Sequence, residues 1–341
     1  MRRFRSSAVD YLHLFRAITF RRGINLVQTG VTWILARYFR KIHFPAGPWA
    51  ASFEPTTSCN LRCPECPSGL KSFSRPTGKA DMGLFGQWAE ALSPTVIWLN
   101  LYFQGEPMLH HNLDKALEIA RQHRFYTVIS TNGHYLTEEH CGMLVDKRLG
   151  RLIISLDGFD QQSYAQYRKG GDYQRVVEGI ERMIRIKKEM NSPYPYLIVQ
   201  TLALRTTEDQ LKLRIREIYR KGVDAVEIKT AQFYHPDPEN NLMPRTGRWS
   251  RYKADATGNF TLKSTLPDHC SRFWGSVVIT WDGRVLPCCY DKDGDHMMGN
   301  LPDQDFSSIW HGESRRTFAQ RLFTHRKGIE ICRNCDQGLQ L

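Results

Sequence analysis

The stretch "AASFEPTTSCNLRCPEC", residues 50–66, decides the fold, because an apolar strand candidate runs directly into a loop with three cysteines. These are Cys59, Cys63 and Cys66. Structural zinc sites take four protein ligands and iron–sulfur cubanes usually take four thiolates, so three thiols leave one coordination position open. An open position on a metal centre is where a substrate or cofactor can bind. We therefore expect a reactive metal site after the first strand.

Short apolar segments alternate with longer amphipathic segments after this loop, which predicts parallel βα units. The predicted strands are residues 51–57, 95–103, 125–131, 151–157, 196–203 and 224–230. The predicted helices are residues 80–92, 111–124, 137–147, 160–190 and 207–221. This order predicts an α/β fold with a partial (β/α)6 barrel of the TIM type. In such barrels the chemistry gathers at the carboxyl ends of the strands.

Polar motifs follow three of these strands at the expected end. They are "QGEP" at 104–107, "STNG" at 130–133 and "SLDG" at 155–158. Each motif alone is more typical of a turn, because Asn-Gly and Asp-Gly favour turns for backbone reasons. Their common position with the cysteine loop favours a shared functional site.

The spacing CxxxCxxC after a first strand, with a Gly-Glu motif after the second, resembles the radical S-adenosylmethionine (radical SAM) enzymes. The resemblance implies that the three cysteines hold a 4Fe–4S cluster. It also implies that S-adenosylmethionine chelates the fourth iron through its amino and carboxylate groups. Reductive cleavage would then give a 5′-deoxyadenosyl radical, which abstracts hydrogen from the substrate. The cofactor supplies this chemistry, and the protein orients the reactants and excludes water.

The resemblance also implies a set of residues that bind S-adenosylmethionine. They are Gly105 and Glu106 at the amino group, Ser130, Thr131 and Asn132 at the ribose, and Ser155 and Arg168 at the carboxylate. Arg168 lies in "YRKGG" and could pair with a carboxylate through its fork of donors, or it could be a solvated helix residue. Glu65 departs from the pattern, because many members have an aromatic or aliphatic residue just before the third cysteine.

Five further cysteines follow the predicted barrel: Cys270, Cys288, Cys289, Cys332 and Cys335. Spacing alone leaves a zinc ribbon and a thiolate-bound cluster open. However, "WDGRVLPCCYDKDGDHMMGNL" followed by "SIWHG" resembles the SPASM extension or its shorter twitch form, which hold auxiliary 4Fe–4S clusters. Five cysteines suit a single cluster and hence the twitch form.

The ligand set that this resemblance implies is Cys270, Cys288, Cys332 and Cys335. Cys289 is then a spare thiol facing the core, although the choice between Cys288 and Cys289 stays open. Cys141 lies on a predicted helix and is expected to be an inert buried thiol. The extension should contain a β-hairpin that turns at Asp282-Gly283.

An auxiliary cluster in the relatives commonly accepts an electron from the substrate radical or helps to place the substrate. We therefore expect oxidation or crosslinking of a peptide or protein side chain. The alternative is dehydrogenation or rearrangement of a small molecule or a lipid-linked intermediate. A more remote alternative is a zinc-binding adaptor without catalysis, which gives no reason for strand-end motifs in register with the cysteine loop.

Candidates for moving the substrate proton follow the last predicted barrel strand in "QFYHPDP". They are Tyr234, His235 and Asp237, of which the histidine titrates in the useful range. A lone histidine in a proline-rich loop is more often structural. The predicted cluster also requires a low-potential electron donor, a flavodoxin or a ferredoxin.

The chain has 341 residues and a net charge of +12, and the charge is uneven. Residues 1–46 hold nine Arg or Lys and one acid, Asp10, a net of 9 − 1 = +8. This basic arm is expected either to pack as a pair of amphipathic helices or to lie on an anionic membrane surface. Nucleic acid is a weaker expectation, because the charge does not spread along the predicted barrel mouth.

No cleavable secretory signal is expected, since Arg16, Arg21 and Arg22 interrupt the apolar run. Free thiols in a reducing compartment are favoured over disulfides, which predicts a cytoplasmic protein, with a peripheral location at the membrane as the alternative. Three domains are predicted: the arm at 1–46, the barrel at 47–235 and the auxiliary cluster domain at 236–341.

Overall fold

The structure is a computed structural model that describes residues 2–234, 236, 240–256 and 258–336. These residues form two compact units. Unit 1 contains residues 2–11, 59–72 and the described part of 129–265. Unit 2 contains residues 12–58, 73–128 and 266–336. The units do not coincide with the three predicted domains, whose boundaries stay a prediction.

The helices of the described chain are α1 Arg2–Arg16, α2 Phe20–Phe39, α3 Pro67–Leu70, α4 Met82–Leu92, α5 Leu113–Gln122, α6 Glu138–Asp146, α7 Gln161–Tyr167, α8 Tyr173–Glu189, α9 Leu211–Lys221, α10 Ser271–Gly275, α11 Phe306–Trp310, α12 Glu313–His325 and α13 Glu330–Arg333. Short 3₁₀ helices are Pro107–Leu109, Gly247–Trp249 and Arg326–Gly328. The strands are β1 Ala50–Phe53, β2 Trp98–Asn100, β3 Tyr126–Thr131, β4 Arg151–Ser155, β5 Tyr196–Ala203, β6 Ala225–Thr230, β7 Tyr252–Ala254, β8 Phe260–Leu262, β9 Ser276–Ile279, β10 Arg284–Leu286 and β11 Gly299–Asn300.

Unit 2 contains a mixed sheet in the order β11-β10-β9-β1-β2, which continues into the first half of β3. β1 runs parallel to β2, with Ala50 opposite Trp98, and also parallel to β9. β9 and β10 form an antiparallel hairpin. Its turn contains Gly283, whose φ of 89° lies in the left-handed region that glycine adopts without strain. The predicted hairpin at Asp282-Gly283 is confirmed.

Unit 1 contains the second half of β3 and the parallel strands β4, β5 and β6. Arg151 of β4 lies opposite Tyr196 of β5, and Ile198 of β5 lies opposite Ala225 of β6. β7 and β8 form a separate antiparallel pair. Each strand from β1 to β5 is followed by at least one α-helix. The predicted α/β class with parallel strands is confirmed.

The prediction of one helix over 160–190 is wrong, because α7 ends at Tyr167 and α8 begins at Tyr173. Gly170 separates the two helices with a φ of 81°, which a helix interior does not allow. The Asp172 side chain then accepts a hydrogen bond from the Arg175 backbone N–H and caps α8. The predicted strand at 95–103 is also shorter, since β2 contains only Trp98–Asn100.

Candidate functional site

The three-cysteine loop of unit 1 lies on an apolar cluster. Cys63 is buried in this cluster with Leu61, Tyr167 and Phe233, and the partly buried Cys59 and Cys66 pack against it. Apolar packing excludes water from one side of the thiols. None of the nine cysteines in the described chain forms a disulfide. The loop therefore presents three thiols, none of them in a disulfide, on an apolar cluster.

A glycine after the loop permits a close backbone approach. α3 begins directly after Cys66, and a Cβ added to Gly69 would lie 2.6 Å from the backbone nitrogen of Cys63. Real Cβ atoms do not approach a backbone nitrogen so closely. Any other residue at this position would push the short helix away from the loop. The sequence "CPSGL" thus holds the loop in a tight fold.

Two side chains direct N–H groups at the loop sulfurs. The Asn132 Nδ2 lies 3.9 Å from Cys59 Sγ and also donates to Asn60 Oδ1 at 2.8 Å. Arg168 directs Nη1 at Cys63 Sγ over 3.8 Å. Hydrogen bonds to cluster sulfurs are one of the means by which a protein adjusts an iron–sulfur centre. The structure therefore brings two of the predicted residues, Asn132 and Arg168, to the cysteine loop.

Arg168 is held by a carboxylate that the sequence analysis did not assign to the site. Its Nε and Nη2 both lie 2.6 Å from Asp157 Oδ2. The other oxygen, Oδ1, accepts the Leu202 backbone N–H at 2.7 Å. Burial lowers the pKa of Arg168, but the negative charges of Asp157 and of a Cys63 thiolate raise it by more. The resulting pKa lies well above the usual value of arginine. Arg168 is thus a fixed cation.

Burial also dominates the pKa of the Cys63 thiol, which lies above its usual value. Arg168 opposes this effect, because a nearby positive charge favours the thiolate. Cysteine binds metals as the thiolate. The Arg168 guanidinium therefore reduces the free-energy cost of forming the buried ligand.

A histidine orients the Asn132 amide. His134 Nδ1 lies 3.0 Å from Asn132 Oδ1, and its Nε2 accepts the Asp172 backbone N–H at 2.8 Å. These contacts require the proton on Nδ1, so the neutral ring donates to the amide oxygen. The amide nitrogen must then face Asn60 and Cys59. Burial lowers the pKa of His134, which favours this neutral form.

Glu65, the departure from the family pattern, has a structural partner. Its Oε2 accepts the backbone N–H of Tyr234 at 2.8 Å. Tyr234 is exposed and is the only one of the three proton-transfer candidates within the described chain. His235 and Asp237 lie outside the described residues. Glu65 thus joins the cysteine loop to the segment that contains these candidates.

The other predicted residues of unit 1 lie at strand ends. Ser130 and Thr131 are the last residues of β3, and Ser155 is the last residue of β4. Thr131 is buried, and its hydroxyl accepts the Gly133 backbone N–H at 3.1 Å. Ser155 is also buried. Their common position at the carboxyl ends of the strands is the one that the sequence predicts.

In unit 2, the Gly-Glu motif packs against the backbone after β1. Gly105 has a φ of +74°, and an added Cβ would lie 2.2 Å from the Thr56 carbonyl oxygen. The backbone N–H of Glu106 donates to the Ser58 carbonyl at 2.8 Å. The Glu106 carboxylate is buried and accepts the Met108 N–H at 3.1 Å. Only glycine fits at position 105, and its backbone conformation determines the position of the Glu106 backbone and hence of its carboxylate.

The C-terminal cysteines of unit 2 lie close enough to interact electrostatically. Burial raises the pKa of the Cys332 thiol to about 12, and Cys270 and Cys335 add to the rise. Burial also raises the pKa of Cys288, and Cys289, Cys270 and Cys332 contribute. If these thiols were ionised together, the thiolates would repel one another. A bound cationic centre would remove the repulsion.

Two arginines accompany these thiols. Arg326 is fully buried, and its Nη2 lies 3.8 Å from Cys335 Sγ. Arg272 directs Nη1 at Cys289 Sγ over 3.3 Å. Arg326 therefore contacts a cysteine of the predicted ligand set, Cys335, whereas Arg272 contacts the predicted spare cysteine, Cys289. Neither arginine was singled out from the sequence, because cation–sulfur contacts between distant segments leave no local pattern.

No three His, Cys, Asp or Glu side chains within residues 2–234, 236, 240–256 and 258–336 are arranged to hold a single metal ion. A four-iron cluster sets a different geometric requirement, because each thiolate binds a separate iron. The donor sets present fit such a cluster: one loop has three thiols with N–H groups directed at two of them, and one set has four interacting thiols.

The fold and the cysteines define an α/β protein with a three-thiol loop in one unit and a group of interacting thiols in the other. Residues 53–226 match the Radical SAM superfamily, and residues 270–336 match the SPASM iron–sulfur cluster-binding domain. The first match spans half of the chain, and the chain therefore belongs to the radical SAM superfamily. It is a radical SAM enzyme, and the cofactors of this class are 4Fe–4S clusters and S-adenosylmethionine, as predicted.

Known relatives cover most of the chain. The S-adenosyl-L-methionine-dependent 2-deoxy-scyllo-inosamine dehydrogenase of Niallia circulans is 24% identical over 288 residues, 83% of this chain and 90% of that protein. The PqqA peptide cyclase of Rhizobium meliloti (strain 1021) is 26% identical over 312 residues, 85% of this chain and 80% of that protein.

A solved structure shares the fold. Streptococcus suis SuiB bound to S-adenosylmethionine has a TM-score of 0.64 and 12% identity, and the match covers 86% of this chain and 73% of that chain. This likeness, together with the parallel strands, confirms the predicted α/β partial-barrel class.

Proposed function

We propose that this radical SAM enzyme oxidises or crosslinks a side chain of a peptide or protein. The observation that carries the proposal is the presence of two thiol sets, three cysteines in one loop and five C-terminal cysteines whose thiols interact, of which four could hold a cluster. A three-thiol set leaves room for S-adenosylmethionine, whereas a four-thiol set can close a second centre that exchanges electrons only. The 26% identity to a peptide cyclase supports a peptide substrate.

Within this proposal, Cys59, Cys63 and Cys66 hold the cluster that binds S-adenosylmethionine. When bound and reduced, that pair of cofactors supplies a carbon radical that removes hydrogen from an unreactive carbon. Asn132 and Arg168 stabilise the thiolates by the contacts described above. These residues hold charge and exclude water, and they take no part in bond breaking.

The remaining cofactor contacts follow the family pattern. Gly105 and Glu106 accept from the methionine amino group, for which a buried carboxylate is a suitable partner. Thr131, Asn132 and Ser130 bind the ribose. Ser155 and Arg168 bind the methionine carboxylate. Arg168 can do so with its outer edge, because Asp157 holds its Nε and Nη2.

The second centre is proposed to be held by four thiolates: Cys270, Cys288, Cys332 and Cys335. Cys288 is preferred to Cys289, because Cys288 interacts with Cys270 and Cys332 while Cys289 Sγ contacts Arg272. A two-electron oxidation removes two hydrogens from the substrate. A cluster held by these four thiolates would accept one electron in such an oxidation, and a base of the protein would take up a proton.

That proton needs a base, and Tyr234, His235 and Asp237 are the proposed candidates. The centre must then return its electron to a partner. A flavodoxin or a ferredoxin is the proposed low-potential donor for starting each turnover. Both proteins exchange single electrons at the low potentials that such clusters require.

A small-molecule substrate is the second candidate. It is favoured by the relative from Niallia circulans, which is a dehydrogenase of 2-deoxy-scyllo-inosamine by its name and aligns over 90% of its length. Dehydrogenation uses the same division of roles, with the carbon radical and the electron-accepting centre unchanged. Only the substrate-binding residues would differ.

A fractionation experiment distinguishes these candidates. Reconstituted enzyme is supplied with S-adenosylmethionine, a chemical reductant and an extract of the producing cells, separated into a peptide and protein fraction and a small-molecule fraction. The proposal predicts that the first fraction raises 5′-deoxyadenosine formation above the uncoupled rate, with a product lighter by two hydrogens. Stimulation by the small-molecule fraction alone would instead support the second candidate. The Cys332→Ala variant is the matched control, and it should cleave S-adenosylmethionine without forming the product.

A further inference from the structure

The basic N-terminal arm contains a helix whose polar side faces the protein. α2 is held in unit 2 by the fully buried Arg22, which donates to the carbonyl oxygens of Ser93 at 3.0 Å and His123 at 2.7 Å. One turn further, Asn25 exchanges two hydrogen bonds with Gly47 at 3.0 and 3.2 Å. Trp33 then packs on Trp274 at a ring distance of 6.1 Å. The inward side of α2 thus makes polar contacts in its first half and apolar contacts, through Trp33 and Ala36, in its second half.

The opposite side of α2 is apolar and exposed. The exposed apolar stripe consists of Phe20, Ile24, Val27, Val31, Ile34 and Tyr38. Ile24 is the least exposed of them at 44%, and Phe20 is the most exposed at 85%. An ordinary surface helix of a globular protein buries its apolar side and exposes its polar side. α2 exposes an apolar side in addition to the residues that it buries, and such a side marks a surface that binds something apolar.

The charges around the stripe are of one sign. Arg21 and Arg37 flank it, and α2 contains no acidic residue. The only acid in residues 1–46 is Asp10, which is buried and paired with Arg151 at 2.6 Å. The stripe spacing of four and three residues would also suit a helix of a second copy. However, a second copy would place Arg21 and Arg37 near further arginines without any acid to pair with.

We propose that α2 lies flat on the surface of an anionic lipid bilayer, with the exposed apolar stripe in the boundary between headgroups and acyl chains. A bilayer supplies both an apolar layer and negative headgroups, which complement the stripe and its flanking arginines. Aromatic residues at the two ends, Phe20 and Tyr38, suit the interfacial depth. No helix within the described residues is long and apolar enough to cross a membrane, so the contact is made along the surface. This inference does not depend on the proposed substrate.

Vesicle flotation with the full-length, reconstituted enzyme tests the proposal. The probes are vesicles of phosphatidylcholine alone and of phosphatidylcholine mixed with anionic phosphatidylglycerol. We expect the enzyme to float with the anionic vesicles and to bind them less as the salt concentration rises. The neutral vesicles should bind it weakly.

Two variants separate the apolar and electrostatic contributions. Val27→Glu places a charge in the stripe and should weaken partitioning at least about tenfold. Arg21→Gln should weaken it about fivefold, and only on anionic vesicles. Leu213→Glu is the matched control, because Leu213 is an exposed apolar residue on α9 (58%, compared with 68% for Val27), and this variant should bind as the wild type does.

Unchanged iron content and S-adenosylmethionine cleavage will establish that each variant is folded. Equal binding of wild type and Val27→Glu would overturn the proposal, as would equal binding to neutral and anionic vesicles. The proposal would also be overturned if the wild type did not bind vesicles but formed a dimer, and if the Val27→Glu variant were a monomer. That result would assign the stripe to a second copy.

Discussion

Replacement of Asp157 by asparagine tests the charge arrangement at the cysteine loop. Asp157 has a side-chain exposure of 1%, and its partner Arg168 has 17%. Asparagine keeps the size of the side chain and an oxygen that can accept the Leu202 N–H. The substitution therefore removes one negative charge and the second acceptor oxygen, to which Arg168 donates. It leaves the Arg168 guanidinium buried without its counter-ion.

The expected loss of stability follows from the burial of this pair. Removing one partner of a buried ion pair costs about 3–5 kcal/mol, because the remaining charge is uncompensated. Asparagine has a single oxygen for two donors, so when this oxygen accepts the Leu202 N–H the amide NH2 faces Arg168, and we expect a loss of about 3–5 kcal/mol. In a unit of this size each kcal/mol lowers the thermal midpoint by about 2–4 °C, so the midpoint of Asp157→Asn should fall by roughly 6–20 °C.

Anaerobic thermal unfolding, followed by circular dichroism, measures this shift. Glu138→Gln is the matched control, because it makes the same chemical change in an exposed carboxylate that pairs with Arg182 and Arg185. Exposed pairs contribute little, so its midpoint should not move measurably. Equal midpoints for Asp157→Asn and Glu138→Gln would refute the account of a buried, charge-dependent pair beside Cys63.

Two further predictions concern the backbone at Gly105 and the protonation of His134. Gly105→Ala should weaken S-adenosylmethionine binding to the reconstituted enzyme at least about tenfold, because the left-handed φ and the 2.2 Å approach to Thr56 displace Glu106. Gly142→Ala, whose Cβ meets nothing within 4 Å, should bind normally in the same equilibrium titration, and equal weakening of both variants would contradict the steric explanation. The pKa of His134 is lower in the folded state than in the unfolded state. As the pH falls from about 6.5 towards that lowered pKa, His134 is therefore protonated in the unfolded chain but stays neutral in the folded chain, and the folded state loses stability. Denaturant midpoints in this window should therefore fall more steeply for wild type than for His134→Gln, and parallel pH profiles would contradict a neutral, buried His134.

The strand and helix order could be predicted because it depends on local periodicity. β5 was predicted at its observed bounds, and the three-cysteine loop was recognised from residue spacing alone. The break between α7 and α8 was signalled by Gly170 and Gly171, but the helical pattern on both sides concealed it. Turn signals inside a long amphipathic pattern are outweighed when periodicity is the main criterion.

The partners of polar side chains could not be predicted, because they depend on which distant backbone groups the fold brings near. Asp157 was interpreted only as part of an Asp-Gly turn, whereas its carboxylate holds Arg168. No sequence pattern around Arg326 predicts its contact with Cys335. For α2, the sequence pattern identified an apolar and a polar side. It did not reveal that the polar side, with Arg22, faces inward.

The account rests on two metal centres held by different cysteines. Iron and acid-labile sulfide per chain, together with zinc, test it most directly on protein purified and reconstituted without oxygen. The wild type should contain about eight irons, and the combined Cys59/Cys63/Cys66→Ala variant should retain about four. A wild type with about four irons and one zinc, falling to no iron in the variant, would contradict the account, because the C-terminal cysteines would then form a structural zinc site.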